Sequence, residues 1–281
     1  MERKKIKKKK VYKGQHIAMA VILGIVSLLM LFPMVWMFFT SFKTNADIRI
    51  NRTSILPQEW TTDGYIKAFT EVPFLRWLFN SICVTGLVTI AVIITSTLLG
   101  FIFAKYEFKG KRWTFILLLA TMMVPAQVTM IPRFLIVQKM GLYNTLGALI
   151  VPMLVSAFGV YLCRQFIEDI PDSICDAAKI DGASSFMIYR KIIIPNIRPA
   201  IGSLTIFTAM GVYNDYLNPL IMVNDKESMT LPLALAMFST QNKADLTTTM
   251  AVASLIMVPM IIVFVIFQKQ FVKGLALTGI K

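Results

Sequence analysis

Two stretches of this 281-residue chain set polar groups into or beside long apolar runs. The first is "YNDYLNP", Tyr213 to Pro219, inside a run of aliphatic and aromatic residues. An ionisable side chain at membrane depth is a functional candidate by default, because burying it in hydrocarbon is costly. Asp215 is the clearest such residue. Asn214 and Asn218 add amides, and Tyr213 and Tyr216 add rings, so the stretch offers hydrogen bonding together with stacking. Gln127, between Pro125 and Pro132, is a second polar candidate of this kind. The competing reading is structural: Asn, Asp and Thr within spans commonly bond helix to helix, at roughly 0.6 kcal/mol each. The Thr95-Ser96-Thr97 cluster reads as packing of that sort. The second stretch is "DAAKIDGASSFMIYRKIIIPNIRP", Asp176 to Pro199, lying between two apolar runs. A plain connector needs only a few residues, and this one is built to touch something.

Other chemistries find no support. No G-x-x-x-x-G-K-[ST] phosphate loop is present, and Gly110-Lys111 runs on into Arg112. The three cysteines, Cys83, Cys163 and Cys175, match no zinc or redox spacing and read as buried or reduced thiols. The lone His16 stands at a membrane edge, as an interfacial residue does.

The elements that must position these residues are membrane spans. The chain is 56% hydrophobic with a mean hydropathy of +0.67, and only 16% of its residues are charged, against about 25% in soluble domains. A span needs about 20 mostly apolar residues, and six stretches qualify: 17–40, 80–104, 113–136, 143–165, 198–222 and 248–268. None alternates with period two, which disfavours a β-barrel, so the chain reads as an all-α polytopic membrane protein with six transmembrane helices. With the N-terminus inside, 20 of the 29 Lys and Arg fall on the inner side and 9 outside, which predicts cytoplasmic termini. On this reading Asp215, 17 residues beyond Arg198, lies about 25 Å along the fifth helix from the inner face.

Residues 1–16 form a basic cytoplasmic segment, residues 17–268 the six-span domain and residues 269–281 a cytoplasmic tail. The first apolar run is too long for the core of a cleaved signal peptide and is expected to stay as an anchor. The eight basic residues among the first thirteen suit contact with anionic membrane lipid and not nucleic acid, for which no accompanying fold is present. In the outer loop, "TTDGYIKAF" predicts a helix capped at Thr62 or Asp63. "PFLRWLFNS" predicts an interfacial helix leading into the second span, either a lipid-lying lead-in or a binding element.

Between residues 165 and 198 the signals are local. Pro171 suits a first helical turn, Asp172 and Asp176 complement its dipole, and Ala177 and Ala178 favour helix. Gly182 takes the left-handed conformation that ends a helix. Ser184 or Ser185 then caps a second one, and Pro195 and Pro199 punctuate the start of the fifth span. The expected product is a short, smooth, acidic helix followed by a hinge. From these residues alone, packing on the protein's own inner face and docking to a partner stand equal.

This stretch closely resembles the E-A-A-x-x-D-G-A…P motif of ABC importer permeases. Ala177, Ala178, Asp181, Gly182 and Ala183 match in place, and Asp176 stands where that family usually has Glu, a carboxylate one methylene shorter. "NSICVTGLVTIAVIITSTLLGFIFAKYEFKGK", "MMVPAQVTMIPRFLIVQKMGLYNTLGALIVP", "LPLAL" and "FVKGLALTGIK" extend the resemblance along most of the chain. Together with "YNDYLNPLI" they point to the carbohydrate branch, in particular the maltose-permease-like subunits. The resemblance implies a MetI-like ABC permease fold with a cytoplasmic coupling helix, in which Asp176, Ala177, Ala178, Asp181, Gly182 and Ala183 meet the ATPase and Gly182 and Pro195 absorb motion.

It implies a second, homologous permease subunit, two cytoplasmic ATPase subunits and an extracellular solute-binding protein. It also implies a sugar or oligosaccharide substrate that Asn214, Asp215, Asn218 or Gln127 would hydrogen-bond and Tyr213 or Tyr216 would stack against. ATP and Mg would belong to the ATPase, with no cofactor, metal or catalytic residue on this chain. The alternatives are an ABC permease for a non-sugar solute, such as a peptide or amino acid, and an ion-driven secondary transporter. The latter would call for charged residues near the midplane and internal repeats.

Overall fold

The computed structural model describes residues 13–241 and 244–278, and among these no β-strand forms beyond one isolated bridge between Lys43 and Trp60. Expectations for the lysine-rich residues 1–12 and the last three residues lie outside the described part, as do those for the side chains of residues 13–16 and 269–278. The helices are α1 (Lys13–Thr40), α2 (Asn45–Ile50), α3 (Asp63–Thr70), α4 (Phe74–Lys105), α5 (Lys111–Thr121), α6 (Ala126–Lys139) and α7 (Leu146–Ile150). They continue with α8 (Ala157–Glu168), α9 (Asp172–Ile180), α10 (Ser185–Ile188), α11 (Ile194–Asn196), α12 (Arg198–Tyr213), α13 (Leu217–Met222), α14 (Leu231–Gln241) and α15 (Leu246–Thr278).

Four helical stretches are long and apolar enough to cross a membrane: 17–40, 74–105, 146–168 and 246–268. Two more spans result if each of two bent pairs counts as one, α5 with α6 at 100° and residues 185–196 with α12 at 77°. The chain is therefore a multi-pass membrane protein, and no residue of α1 from Ile17 to Phe39 is buried within the protein.

Several boundaries differ from the sequence expectation. The "PFLRWLFNS" stretch is no separate interfacial helix but the first turns of α4, which starts at Phe74 instead of residue 80. Trp77 Nε1 donates to the Lys226 carbonyl (2.8 Å) and the Asn80 amide to the Glu227 and Met229 carbonyls (2.7 and 2.9 Å), so one face of these turns packs on protein while Leu75 and Phe79 stay exposed. The third span is broken at Met122–Pro125, where Pro125 lacks an N–H to extend α5. The fifth ends at Tyr213 instead of residue 222, so Asp215 sits in a break beyond α12 and not on a continuous helix. The segment 224–247, drawn between the fifth and sixth spans, holds the apolar helix α14.

The centre of the fold is the α4–α8 pair; α12 packs against it, and α15 packs in turn against α12. Small residues let the pair close. A Cβ on Gly100 would lie 2.8 Å from Cys163 Cβ and 3.0 Å from the Arg164 backbone nitrogen, and one on Gly159 would lie 2.2 Å from Ser96 Oγ. Without water between helices, such close approach supplies much of the association. Polar contacts tie the segments between spans, with Asp47 accepting from Asn51 Nδ2 (2.8 Å) and the Gln58 N–H (3.0 Å) and Thr247 Oγ1 donating to the Lys43 carbonyl (2.8 Å).

Candidate functional site

The segment that follows α8 is held at both ends by one face of α4. Thr97, Phe101 and Lys105 are spaced by four residues and so share that face. Lys105, 8% exposed, pairs through Nζ with Asp172 Oδ1 at 2.6 Å and also donates to the Ile170 carbonyl, fastening the start of α9. That ammonium holds the Asp172 carboxyl below the usual aspartate range. Past α9, the Tyr189 and Thr97 hydroxyls are hydrogen-bonded at 2.8 Å, and the Tyr189 ring lies 5.8 Å from that of Phe101.

Between these ties the helix ends where the sequence predicted. Gly182 has φ 83°, its N–H donates to the Lys179 carbonyl and the Ala183 N–H to that of Ala178, satisfying carbonyls that a helix end leaves open. Ser184 accepts from the Met187 N–H and caps α10. Cys175 is buried, Ala178 and Ala183 are half-buried, and Asp176, Ala177 and Asp181 are exposed. Asp176 is paired with Lys179 at 2.9 Å. Around them Ile180 is 87% and Phe186 66% exposed, an apolar rim beside open carboxylates.

Gly182 and Pro195, the positions expected to absorb motion, lie in different local geometries: Gly182 ends α9 with φ 83°. Pro195 sits in α11 directly after a widened turn, Tyr189–Ile193, in which the Ile194 N–H reaches back five residues to the Tyr189 carbonyl. Proline removes a donor and crowds the preceding turn, and a wider turn accommodates it. The 77° change of direction itself falls at Ile197, between Asn196 and Arg198.

The second site is a cavity of about 480 Å³ bordered by α4, α6, the turn at 151–156 and the C-terminal end of α12. Its walls include Val88, Val92, Met153, Phe158 and Phe207, and its polar groups are Arg133, Ser156, Thr208, Asp215 and Asn218. Asp215 accepts from the Asn218 N–H (3.2 Å) and from Asn218 Nδ2 (2.6 Å), so it caps α13 and orients the amide. The amide oxygen of Asn218 then accepts from Arg133 Nη1 at 3.4 Å. Of the sequence candidates, Asp215 and Asn218 meet here. Asn214, Tyr216 and Gln127 are exposed and do not line the cavity. Tyr213 is buried, with its hydroxyl donating to the Ile256 carbonyl at 2.8 Å, an α12–α15 packing contact instead of a stacking surface.

Arg133 is the residue that sequence reasoning missed. It lies within the span drawn at 113–136, and the rule that selects Asp215 selects it too.

The chain has relatives that share both its sequence and its shape. The family described as binding-protein-dependent transport system inner membrane component matches residues 96–277. The arabinooligosaccharides transport system permease protein AraQ of Bacillus subtilis (strain 168) is 32% identical over 271 residues, covering 95% of this chain and 96% of that one. Its namesake from Halalkalibacterium halodurans is 29% identical over 259 residues, covering 91% and 93%. Among solved structures, a chain of a bacterial ABC transporter involved in the import of the acidic polysaccharide alginate superposes with a TM-score of 0.81 at 26% identity, covering 91% of this chain and 96% of that chain.

Proposed function

Because the chain belongs to the family of binding-protein-dependent transport system inner membrane components, we propose that it is one permease subunit of an ATP-driven oligosaccharide importer. It forms half of the translocation path and transmits motion through α9. A homologous permease supplies the other half, and two cytoplasmic ATPase subunits bind ATP and Mg, so this chain binds no cofactor and hydrolyses nothing. A solute-binding protein delivers the sugar from outside, and both termini are cytoplasmic.

The observation that carries this reading is the tethered segment Asp172–Ala183. A helix with exposed carboxylates, flush alanines and an apolar rim, fixed at both ends to a transmembrane helix, suits docking in a cleft of another protein and passing displacement on. On this account Asp176, Ala177, Ala178, Asp181, Gly182 and Ala183 contact the ATPase. Because α4 holds Asp172 and Tyr189 alike, the segment moves as a body with α4, and the change of angle is absorbed around Pro195 and Ile197. Hinges of this kind fall at element ends. The cavity that joins Asp215, Asn218 and Arg133 lies on the path, where these groups meet sugar hydroxyls.

The test is uptake of labelled oligosaccharides by cells lacking the chain. Re-expression of the wild type restores import of at least one, while an Asp181→Lys chain reaches the membrane and restores none. Import that proceeds equally well without the chain would refute the assignment.

A further inference from the structure

The turn between α4 and α5 has a feature that transport does not use. A second cavity, of about 500 Å³, opens between this turn, α5 and the end of α8. It is lined by three cations, Lys111, Arg112 and Arg164, and one carboxylate, Glu107. Lys111 is matched by Glu107 at 2.8 Å, and Arg164 by Glu168 at 2.7 Å while its guanidinium lies 3.9 Å above the Phe115 ring. Arg112 has no acidic partner among the described residues. The first turn of α5 holds Lys111 and Arg112 and no acidic residue, the reverse of what the helix dipole favours. An anion beside them offsets both charges and dipole.

The position identifies the anion. The cavity lies where two membrane helices end, next to Trp113 (70% exposed) and below Ile116 and Leu117 (42% and 66% exposed). Exposed Trp marks the headgroup level, and the apolar side chains beyond it face acyl chains. Basic pockets between transmembrane helices at such a level bind anionic headgroups.

We propose that this cavity is a binding site for the phosphate of an anionic phospholipid, with Arg112 as its principal cation and Lys111 and Arg164 beside it. Its acyl chains lie along α5, and the bound lipid holds α5 against α8, the helix that leads into α9. This inference requires only that the chain spans a membrane, and is independent of which solute it carries.

The experiment titrates the assembled, detergent-purified transporter with short-chain phosphatidylglycerol or phosphatidylcholine and counts bound lipid by native mass spectrometry. One phosphatidylglycerol should bind with clear preference over phosphatidylcholine. Arg112→Gln should weaken it about fivefold, the worth of one cation near an anionic lipid, whereas Lys109→Gln, in the same turn but outside the cavity, should leave it unchanged. Equal binding by wild type and Arg112→Gln would overturn the site. Displacement of phosphatidylglycerol by millimolar inorganic phosphate would overturn the lipid and assign the site to a soluble phosphate.

Discussion

At the scale of single residues, the cavity couples a cap to a charge. Asp215 both caps α13 and carries the carboxylate that orients Asn218 toward Arg133, so two substitutions separate these roles. Asp215→Ala removes both and is expected to lower thermal stability by about 1 kcal/mol, a typical capping loss. Asp215→Asn keeps a capping oxygen and should lose less than half of that. If the carboxylate also meets solute, both variants lose transport alike, and uptake measured beside thermal unfolding tells the two roles apart. Gly100 makes a second residue-scale prediction. A methyl there meets Cys163 Cβ and the backbone of Arg164, neither of which swings aside. Gly100→Ala should therefore destabilise the α4–α8 pair by about 1–3 kcal/mol, the usual range for overpacking, and a stable variant with unchanged unfolding would contradict the packing described. Asp215 was legible in the sequence because an acid in an apolar run stands out. Tyr213 misled because its ring also stands out, and only the packed structure shows its hydroxyl spent on Ile256.

At the scale of elements, the stripe Thr97–Phe101–Lys105 makes α9 an extension of α4. Lys105→Met removes the tie to Asp172 and to the Ile170 carbonyl while keeping the aliphatic stem. The expected outcome is an assembled transporter whose ATPase runs but responds several-fold less to loaded binding protein, measured as the ratio of stimulated to basal rate. Lys105→Arg, which keeps the charge, should restore much of that ratio. Acid acts on the same tie. The Asp172 carboxyl is held below its usual value by the Lys105 ammonium, so its contribution is complete above the ordinary aspartate value of about 3.9 and is lost only as pH falls through the lower folded value. Coupling should therefore be insensitive to Asp172 across pH 5–8, and a Lys105-dependent change in that window would contradict the pairing. The start, glycine stop and second cap of α9 were legible because capping is local chemistry. The positions of the breaks at Met122–Pro125 and Tyr213–Tyr216 were not: Pro125 and Pro132 mark the third span as irregular without placing its bend, and Asn214 and Asp215 read equally well as polar groups on a continuous helix. Nor was the bend at Ile197, since a buried aliphatic residue gives no signal of it and the nearby prolines draw attention instead.

At the scale of the whole molecule, the chain reads as a lever in a membrane. The α4–α8 pair forms its shaft, α12 and α15 brace it, a polar cavity lies toward one end and an exposed acidic helix projects at the other. Six spans were countable from composition, and the resemblance of the α9 stretch to ABC importer permeases agrees with the family that matches residues 96–277. What no count of spans conveys is that both ends of the projecting segment are fixed to one helix, because that depends on contacts between residues 97 and 189 and between 105 and 172. Transmission through this segment is read out by ATPase stimulation in proteoliposomes. The chain would be assembled with its partner permease, ATPase subunits and binding protein, as wild type and as Gly182→Pro. Proline cannot adopt the φ of 83° found at Gly182, so the stop of α9 is lost while the spans stay intact. The variant is expected to assemble, keep basal ATP hydrolysis and no longer respond to loaded binding protein. A variant that assembles and responds as fully as the wild type would contradict transmission through α9.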